Sequence, residues 1–173
     1  ALTNAYRALA NGGVWSPTHF RIDDVAGDGG EPARVLSAEA SFIVSDMLAD
    51  STARAPTFGL ASPLSTRSWA AVKTGTSKGM RDNWAIGYTD RYTVGVWVGN
   101  FSGAPMWDVS GVTGAAPIWR EIVDHLHAHQ PSRAPTVPAG VVQREVVFAP
   151  AVEPPRREWF VAGTEPTTQA TTV

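Results

Sequence analysis

Ser68-Trp69-Ala70-Ala71-Val72-Lys73-Thr74-Gly75-Thr76-Ser77 runs apolar as far as Val72, then turns polar around one lysine and one glycine. The chain has only two lysines, Lys73 and Lys78, and both lie here. Such a stretch reads as a strand whose buried part ends at Val72, with Lys73, Gly75 and Ser77 alternating against Thr74 and Thr76. At a sheet edge its backbone N–H groups would face an incoming ligand able to add as a further strand. Gly75 would remove the side chain that blocks that approach. Lys73 would supply positive charge, and the threonine hydroxyls would donate to a carboxylate. A backbone N–H on such a strand also suits the oxyanion of a tetrahedral intermediate.

Downstream, Trp84, Ile86 and Tyr88 alternate, and beyond a turn near Asp90-Arg91 so do Val94, Val96 and Val98. This period of two predicts a hairpin beside the lysine strand. Gly87, Gly95 and Gly99 inside it predict a closely packed helix or a bulge. Upstream, Leu2, Ala5, Tyr6, Leu9 and Ala10 form one helical stripe, closed by Asn11-Gly12-Gly13. Val14 to Asp24, with Phe20 and Ile22 near its centre, reads as extended. Gly27 to Gly30 is a turn cluster, and Arg34-Val35-Leu36 is its return strand. Ser37 caps a helix with Glu39 in its first turn and Ala40, Ile43, Val44, Met47 and Leu48 as its apolar face. Pro56, Gly59 and Pro63 predict a loop over 50–66, and Gly103 to Gly114 is a second loop. Pro117 opens a helix whose apolar face is Ile118, Trp119, Ile122, Val123 and Leu126. From Pro131 onward, frequent prolines leave room only for short extended pieces such as Val141–Val147 and Trp159–Val161; Thr164–Val173 is expected to be mobile.

With 173 residues, 43% hydrophobic and 17% charged, the chain can bury a core. A formal net charge of -2 gives no general affinity for nucleic acid or acidic membranes. Zero cysteines exclude disulfides, thiolate metal sites and cysteine nucleophiles. The opening at Ala1, inside a helical pattern, predicts a processed or excised portion of a longer protein.

Lys73-Thr74-Gly75-Thr76-Ser77 resembles the K-T-G box of serine penicillin-recognising enzymes. Asp82 to Tyr88 and Tyr92 to Asn100 resemble the strands that follow that box in bifunctional, class A penicillin-binding proteins. Ala115 to Trp119 is similar to their closing helix, and Leu2 to Val14 to the segment preceding the box. The resemblance covers roughly residues 1–128 and implies an α/β (α+β) fold, an antiparallel sheet flanked by helices as in penicillin-binding proteins and serine β-lactamases. Residues 1–130 are expected to form the C-terminal part of a transpeptidase domain, and 131–173 a proline-rich tail.

The resemblance further implies a peptidoglycan D,D-transpeptidase that takes D-Ala-D-Ala stem peptides and β-lactams, without a cofactor. Lys73 is the expected catalytic residue; Thr74, Gly75, Thr76 and Ser77 are the expected substrate contacts, with the Thr76 N–H as an oxyanion donor. A D,D-carboxypeptidase, a serine β-lactamase or a non-catalytic scaffold on the same fold is the alternative. The family also needs S-x-x-K and S-x-N. No Ser here has Lys three positions later, and none has Asn two positions later. Family order places both upstream of Ala1, so the nucleophile and the membrane anchor are expected in the remaining N-terminal part of the protein, and the site on the extracytoplasmic face of a bacterial inner membrane. This chain alone is expected to be inactive.

His125 and His129 at i, i+4 offer two zinc donors, but no acidic or cysteine ligand accompanies them, and no metal site is assigned. Arg156-Arg157-Glu158 before Trp159 reads as an amphipathic strand rather than a docking segment. Trp97 and Trp107 read as packing residues rather than cleft walls.

Overall fold

A computed structural model of the protein describes residues 1–19, 30–59, 62–149, 154–166 and 170–171. Helix α1 (Leu2–Ala10) ends as its sequence requires. The N–H groups of Asn11, Gly12 and Gly13 return to the carbonyls of Arg7, Leu9 and Ala8, with Gly12 and Gly13 at φ of 61° and 92°. Its buried arc is rotated from the predicted stripe. Ala5 is exposed and Leu2 is 48% exposed, while Ala8 is buried. Thr3 lies where a Cβ on Gly95 would come within 2.5 Å, and Tyr6 meets Tyr88 edge-on at 6.5 Å. The missing side chain at Gly95 lets the helix settle on its Thr3–Tyr6 side.

Strands β1 (Val14–Trp15) and β2 (Ala33–Arg34) pair antiparallel over two residues each. The predicted return strand moves one residue earlier, because Val35 and Leu36 spend their N–H groups on the Gly13 carbonyl, at 2.8 and 3.2 Å. Phe20, Ile22 and the turn residues 27–29 lie outside the described residues.

Helix α2 (Ala38–Ala49) has the predicted Ser37 cap, whose Oγ accepts from the Ala40 N–H at 3.0 Å. The face it buries differs from the predicted one. Ser41, Phe42 and Ser45 are buried, whereas Val44 and Met47 are 37% and 63% exposed. Hydrogen bonding makes the burial of two serines affordable: Ser45 Oγ donates to the Ser41 carbonyl at 2.6 Å, and the Tyr88 hydroxyl donates to Ser45 Oγ at 2.8 Å.

The predicted loop over 50–66 contains a helix, α3 (Ser51–Phe58). Asp50 caps it by accepting from the N–H groups of Thr52 and Ala53 at 2.8 and 3.0 Å. Pro56 costs this helix one internal bond and does not break it, because only two residues follow before Gly59 ends it at φ 76°.

Strands β3 (Ala71–Thr76), β4 (Asp82–Tyr88) and β5 (Thr93–Gly99) form an antiparallel sheet in the order β3-β4-β5. Ala71 pairs with Tyr88, Thr76 with Asn83, and Trp84 with Trp97. One face therefore carries Val72, Ala85, Val94, Val96 and Val98. Helix α4 (Ala116–Leu126) closes over it with Trp119 and Val123. A Cβ on Gly87 would lie 2.5 Å from the Trp119 ring and 2.5 Å from the Ala71 carbonyl, so this glycine lets the indole touch the backbone. The Trp119 indole N–H donates to the Val94 carbonyl at 3.1 Å. Gly99 differs from the other two, since the crowding there comes from the neighbouring Trp97 ring at 2.3 Å and the Arg81 carbonyl at 2.6 Å rather than from a helix. Ile86 and Tyr88 are buried on the second face, which α1 and α2 cover only in part. The predicted loop through Gly114 is shorter than expected, because Gly111–Ala115 winds as a π-helical turn into α4, capped reciprocally by Ser110 and Thr113.

The tail folds back. Strand β6 (Val141–Val146) pairs with β8 (Arg156–Val161), and β7 (Phe148–Ala149) pairs in parallel with β9 (Ala170–Thr171). Trp159 packs edge-on to Phe42 of α2 at 5.4 Å, and Gly140 approaches Glu39 so closely that a Cβ would sit 2.7 Å from its carboxylate. In the stretch expected to be mobile, Thr164 Oγ1 donates to the Val161 carbonyl at 2.8 Å and β9 is paired; 167–169 and 172–173 lie outside the described residues. No helix among the described residues is long and apolar enough to cross a membrane.

Candidate active site

The site lies at the Thr76 end of β3, which is the outer strand of its sheet among the described residues. Burial falls abruptly along it: Ala71 and Val72 are buried, Lys73 is exposed, Thr74 is half-buried, and Gly75 and Thr76 are exposed. The Ser77 N–H donates to the Asp82 carbonyl at 2.9 Å, which makes 77:82 a hydrogen-bonded pair. Such pairs alternate in an antiparallel ladder. Lys73, Gly75 and Ser77 therefore turn their backbone groups toward β4, and Thr74 and Thr76 turn theirs outward. The Thr76 N–H and the Thr74 carbonyl thus lie on the open edge.

The Lys73 ammonium curls onto that Thr74 carbonyl at 2.7 Å. Among the described residues no carboxylate lies within ion-pair distance of it. Its charge is consequently uncompensated beside an open strand edge, where it attracts an anion. The Thr76 hydroxyl accepts from the Gly111 N–H at 2.9 Å, which leaves its own proton free to donate outward. Gly111 packs so closely that a Cβ would lie 2.6 Å from the Gly75 carbonyl and 2.7 Å from that of Trp84. The π-helical turn is thereby seated on the backbone beneath the strand end. Gly75 is different, since a Cβ there would meet nothing nearer than Trp84 Cβ at 3.8 Å. Nothing among the described residues requires a glycine at that position.

Ser77 faces inward. Its Oγ accepts from the Asp82 N–H at 2.8 Å and donates to Asp82 Oδ2 at 3.2 Å. The indole N–H of Trp97 donates to Asp82 Oδ1 at 3.0 Å. Asp82 thus binds the ends of all three strands together. The one sequence signal for this role is its place five residues after Ser77 across a tight turn. Asn83 braces the same turn by donating from Nδ2 to the Met80 carbonyl at 3.0 Å, where Met80 holds φ 55°. Its Oδ1 is buried without a partner among the described residues. Trp97 lies against Trp84 at 6.4 Å and Phe101 at 5.5 Å, while Trp107 is 86% exposed.

His125, His127 and His129 do not assemble. Helix α4 ends at Leu126, so His125 and His129 are not one turn apart on a helix, and no group of three potential metal ligands occurs among the described residues. His127 is buried. Its Nδ1 donates to the Gln130 carbonyl at 2.7 Å, and its Nε2 faces Thr89 Oγ1 at 2.9 Å. Thr89 Oγ1 also accepts from the N–H groups of Arg91 and Tyr92 and lies 3.4 Å from the Tyr92 carbonyl, so the imidazole is tied into the turn as a structural brace. Neither Ser16 nor Ser102 has a base beside it: Ser16 Oγ accepts from Arg7 at 2.7 Å, and Ser102 Oγ accepts from the Ala104 N–H at 3.4 Å. The arrangement can bind and polarise a carboxylate-bearing ligand along β3. Among the described residues no activated nucleophile faces it.

No family model matches the chain. It is similar to penicillin-binding protein 1C of Escherichia coli (strain K12), with 32% identity over 120 residues covering 68% of this chain and 14% of that protein. It is also similar to penicillin-binding protein 1A of Clostridium botulinum (strain Langeland), with 30% identity over 187 aligned residues covering 96% of this chain and 22% of that protein. The chain thus spans less than a quarter of the length of these curated relatives. Its fold matches the crystal structure of penicillin-binding protein 1A from Haemophilus influenzae with a TM-score of 0.75 at 20% identity, over 98% of this chain and 32% of that one. The expected penicillin-binding-protein-like fold is therefore the observed one.

Proposed function

The chain is a homologue of the class A penicillin-binding proteins, similar to a portion of them, and on that premise we propose that it forms one wall of a peptidoglycan D,D-transpeptidase site. The observation that carries this reading is the open β3 edge, where an uncompensated Lys73 ammonium, an outward Thr76 N–H and a Thr76 hydroxyl with a free proton converge. A serine supplied by the rest of the protein attacks the carbonyl of a D-Ala-D-Ala bond. The C–N bond breaks, D-alanine leaves as the protonated amine, and a stem-peptide acyl-enzyme remains. An amine of a second stem then displaces the serine, joining the two peptides.

In this scheme Lys73 supplies positive potential beside the reacting groups, and the Thr76 N–H donates to the developing oxyanion. The Thr74 and Thr76 hydroxyls receive the terminal carboxylate, and Gly75 lets the peptide lie against the strand. A β-lactam mimics that peptide and acylates the same serine. Ser77 acts here through the turn, by holding Asp82, rather than by contact with substrate. Residues 1–130 are the C-terminal part of the transpeptidase domain and 131–173 its appended tail. The site faces the extracytoplasmic side of the inner membrane, anchored through the remainder of the protein.

The test is acylation of the full-length protein by fluorescent penicillin, followed by mass spectrometry of the labelled peptide. A label on a serine of an S-x-x-K sequence outside this chain supports the proposal. A folded protein that takes up no label overturns it. Release of the acyl group to water faster than to an added amine would assign the carboxypeptidase or β-lactamase alternative instead.

A further inference from the structure

A second cavity lies at the opposite end of the sheet, with a volume of about 250 Å³. Trp69, Tyr88, Asp90, Arg133 and Thr136 are among the residues that line it. Tyr88 is paired with Ala71, and the K-T-G end begins where Asn83 is paired with Thr76. The two ends are separated by five residues of strand, on the order of 17 Å. One wall is aromatic, since the Trp69 and Tyr88 rings lie 6.3 Å apart at 60° to each other. The other is the non-helical segment 131–138, tied down where the Ser132 hydroxyl accepts from the Asp90 N–H at 3.3 Å and where the Val141 N–H reaches the Pro138 carbonyl at 3.0 Å.

Asp90 and Arg133 both line this cavity, and both are exposed. They carry opposite charge yet make no ion pair with each other, and among the described residues neither side chain has another hydrogen-bonding or ionic partner. The guanidinium offers a planar fork for a carboxylate, and the carboxylate offers an acceptor for an ammonium group. The half-buried Trp69, which also lines the cavity, offers an aromatic surface for an apolar body. We propose that this cavity binds a small zwitterion with an apolar side chain, an amino acid of roughly the size of phenylalanine, with its carboxylate on Arg133, its ammonium on Asp90 and its side chain against Trp69.

Equilibrium dialysis of the full-length protein against radiolabelled phenylalanine tests this, with unchanged thermal midpoints as the control for folding. Saturable binding is expected, at least 10-fold weaker for Arg133→Ala and for Asp90→Asn and unchanged for Lys73→Ala. Phenylpropionate, which lacks the ammonium group, and phenethylamine, which lacks the carboxylate, should each compete at least 10-fold less well than phenylalanine. Absence of saturable binding at millimolar concentration overturns the proposal. So does binding that survives both cavity substitutions and disappears in Lys73→Ala, because the ligand would then be held at the K-T-G end.

Discussion

The two ends of the β3-β4-β5 sheet are made from the same strands and are finished in opposite ways. At the Ala71–Tyr88 end the inward-facing groups meet partners within the chain, since Trp119 lies on Gly87, Tyr88 bonds Ser45 and His127 fills the Thr89 turn, and only the exposed rim at Asp90 and Arg133 stays open. At the Thr76–Asp82 end the partners stop at the strand, leaving Lys73 without a counter-ion and the outer edge of β3 unpaired among the described residues. The same residue type shows the contrast. Gly87 is demanded by what packs on it, whereas Gly75 has space that the described residues do not fill. The strand positions beneath Trp119 are those of a scaffold, and the strand positions beside Lys73 are those of a site.

Substitutions should separate these two ends by which measurement they move. Trp119→Ala removes the largest fully buried side chain and should cost about 3–5 kcal/mol in denaturant unfolding. A loss below about 1 kcal/mol would mean that the closed end is not the core described here. Gly87→Ala should cost about 1–3 kcal/mol, since the added methyl meets both an indole and a backbone carbonyl. Gly75→Ala should leave unfolding within about 0.5 kcal/mol of the parent, while slowing penicillin acylation of the full-length protein roughly tenfold, about 1.4 kcal/mol in the barrier. If Gly75→Ala destabilised as much as Gly87→Ala, the difference between the ends would collapse.

A smaller effect concerns α2, which covers the closed end. Burial raises the Asp46 pKa, the charges of Asp50 and Glu158 raise it further, and a hydrogen bond with the Trp159 side chain opposes them. The folded state therefore favours the protonated acid. The resulting penalty is absent below the ordinary carboxylate pKa and sets in as pH rises through the raised one. Asp46→Asn should accordingly raise the thermal midpoint slightly at neutral pH, with the gain vanishing in acid. A gain that persisted at low pH would trace to packing rather than charge.

Much of the sheet was legible because alternation is a local signal. Trp84-Ile86-Tyr88 and Val94-Val96-Val98 gave the hairpin, Asn11-Gly12-Gly13 gave the end of α1, and Gly87 and Gly95 gave the close helices. Burial on α2 was not legible, because Ser41 and Ser45 read as surface residues until Tyr88 and a helix carbonyl supply their bonds. Helix α3 hid behind Pro56, although Asp50 two residues before Thr52 was a cap signal. The π-helical turn at Gly111 and the role of Asp82 depend on contacts between segments far apart in the chain, which no spacing encodes. At the proposed site, the strand and its abrupt loss of burial after Val72 were legible in sequence, while the bonds of Ser77 to Asp82 across the turn were not.

The most direct test of the open end as an acyl-transfer wall is the acylation rate of the full-length protein by fluorescent penicillin, with and without Lys73. Lys73→Ala should slow acylation at least 100-fold, about 2.7 kcal/mol in the barrier, and leave the unfolding midpoint unchanged, because the ammonium touches only an exposed carbonyl of its neighbour. An acylation rate equal to that of the parent would contradict the account and remove Lys73 from the site.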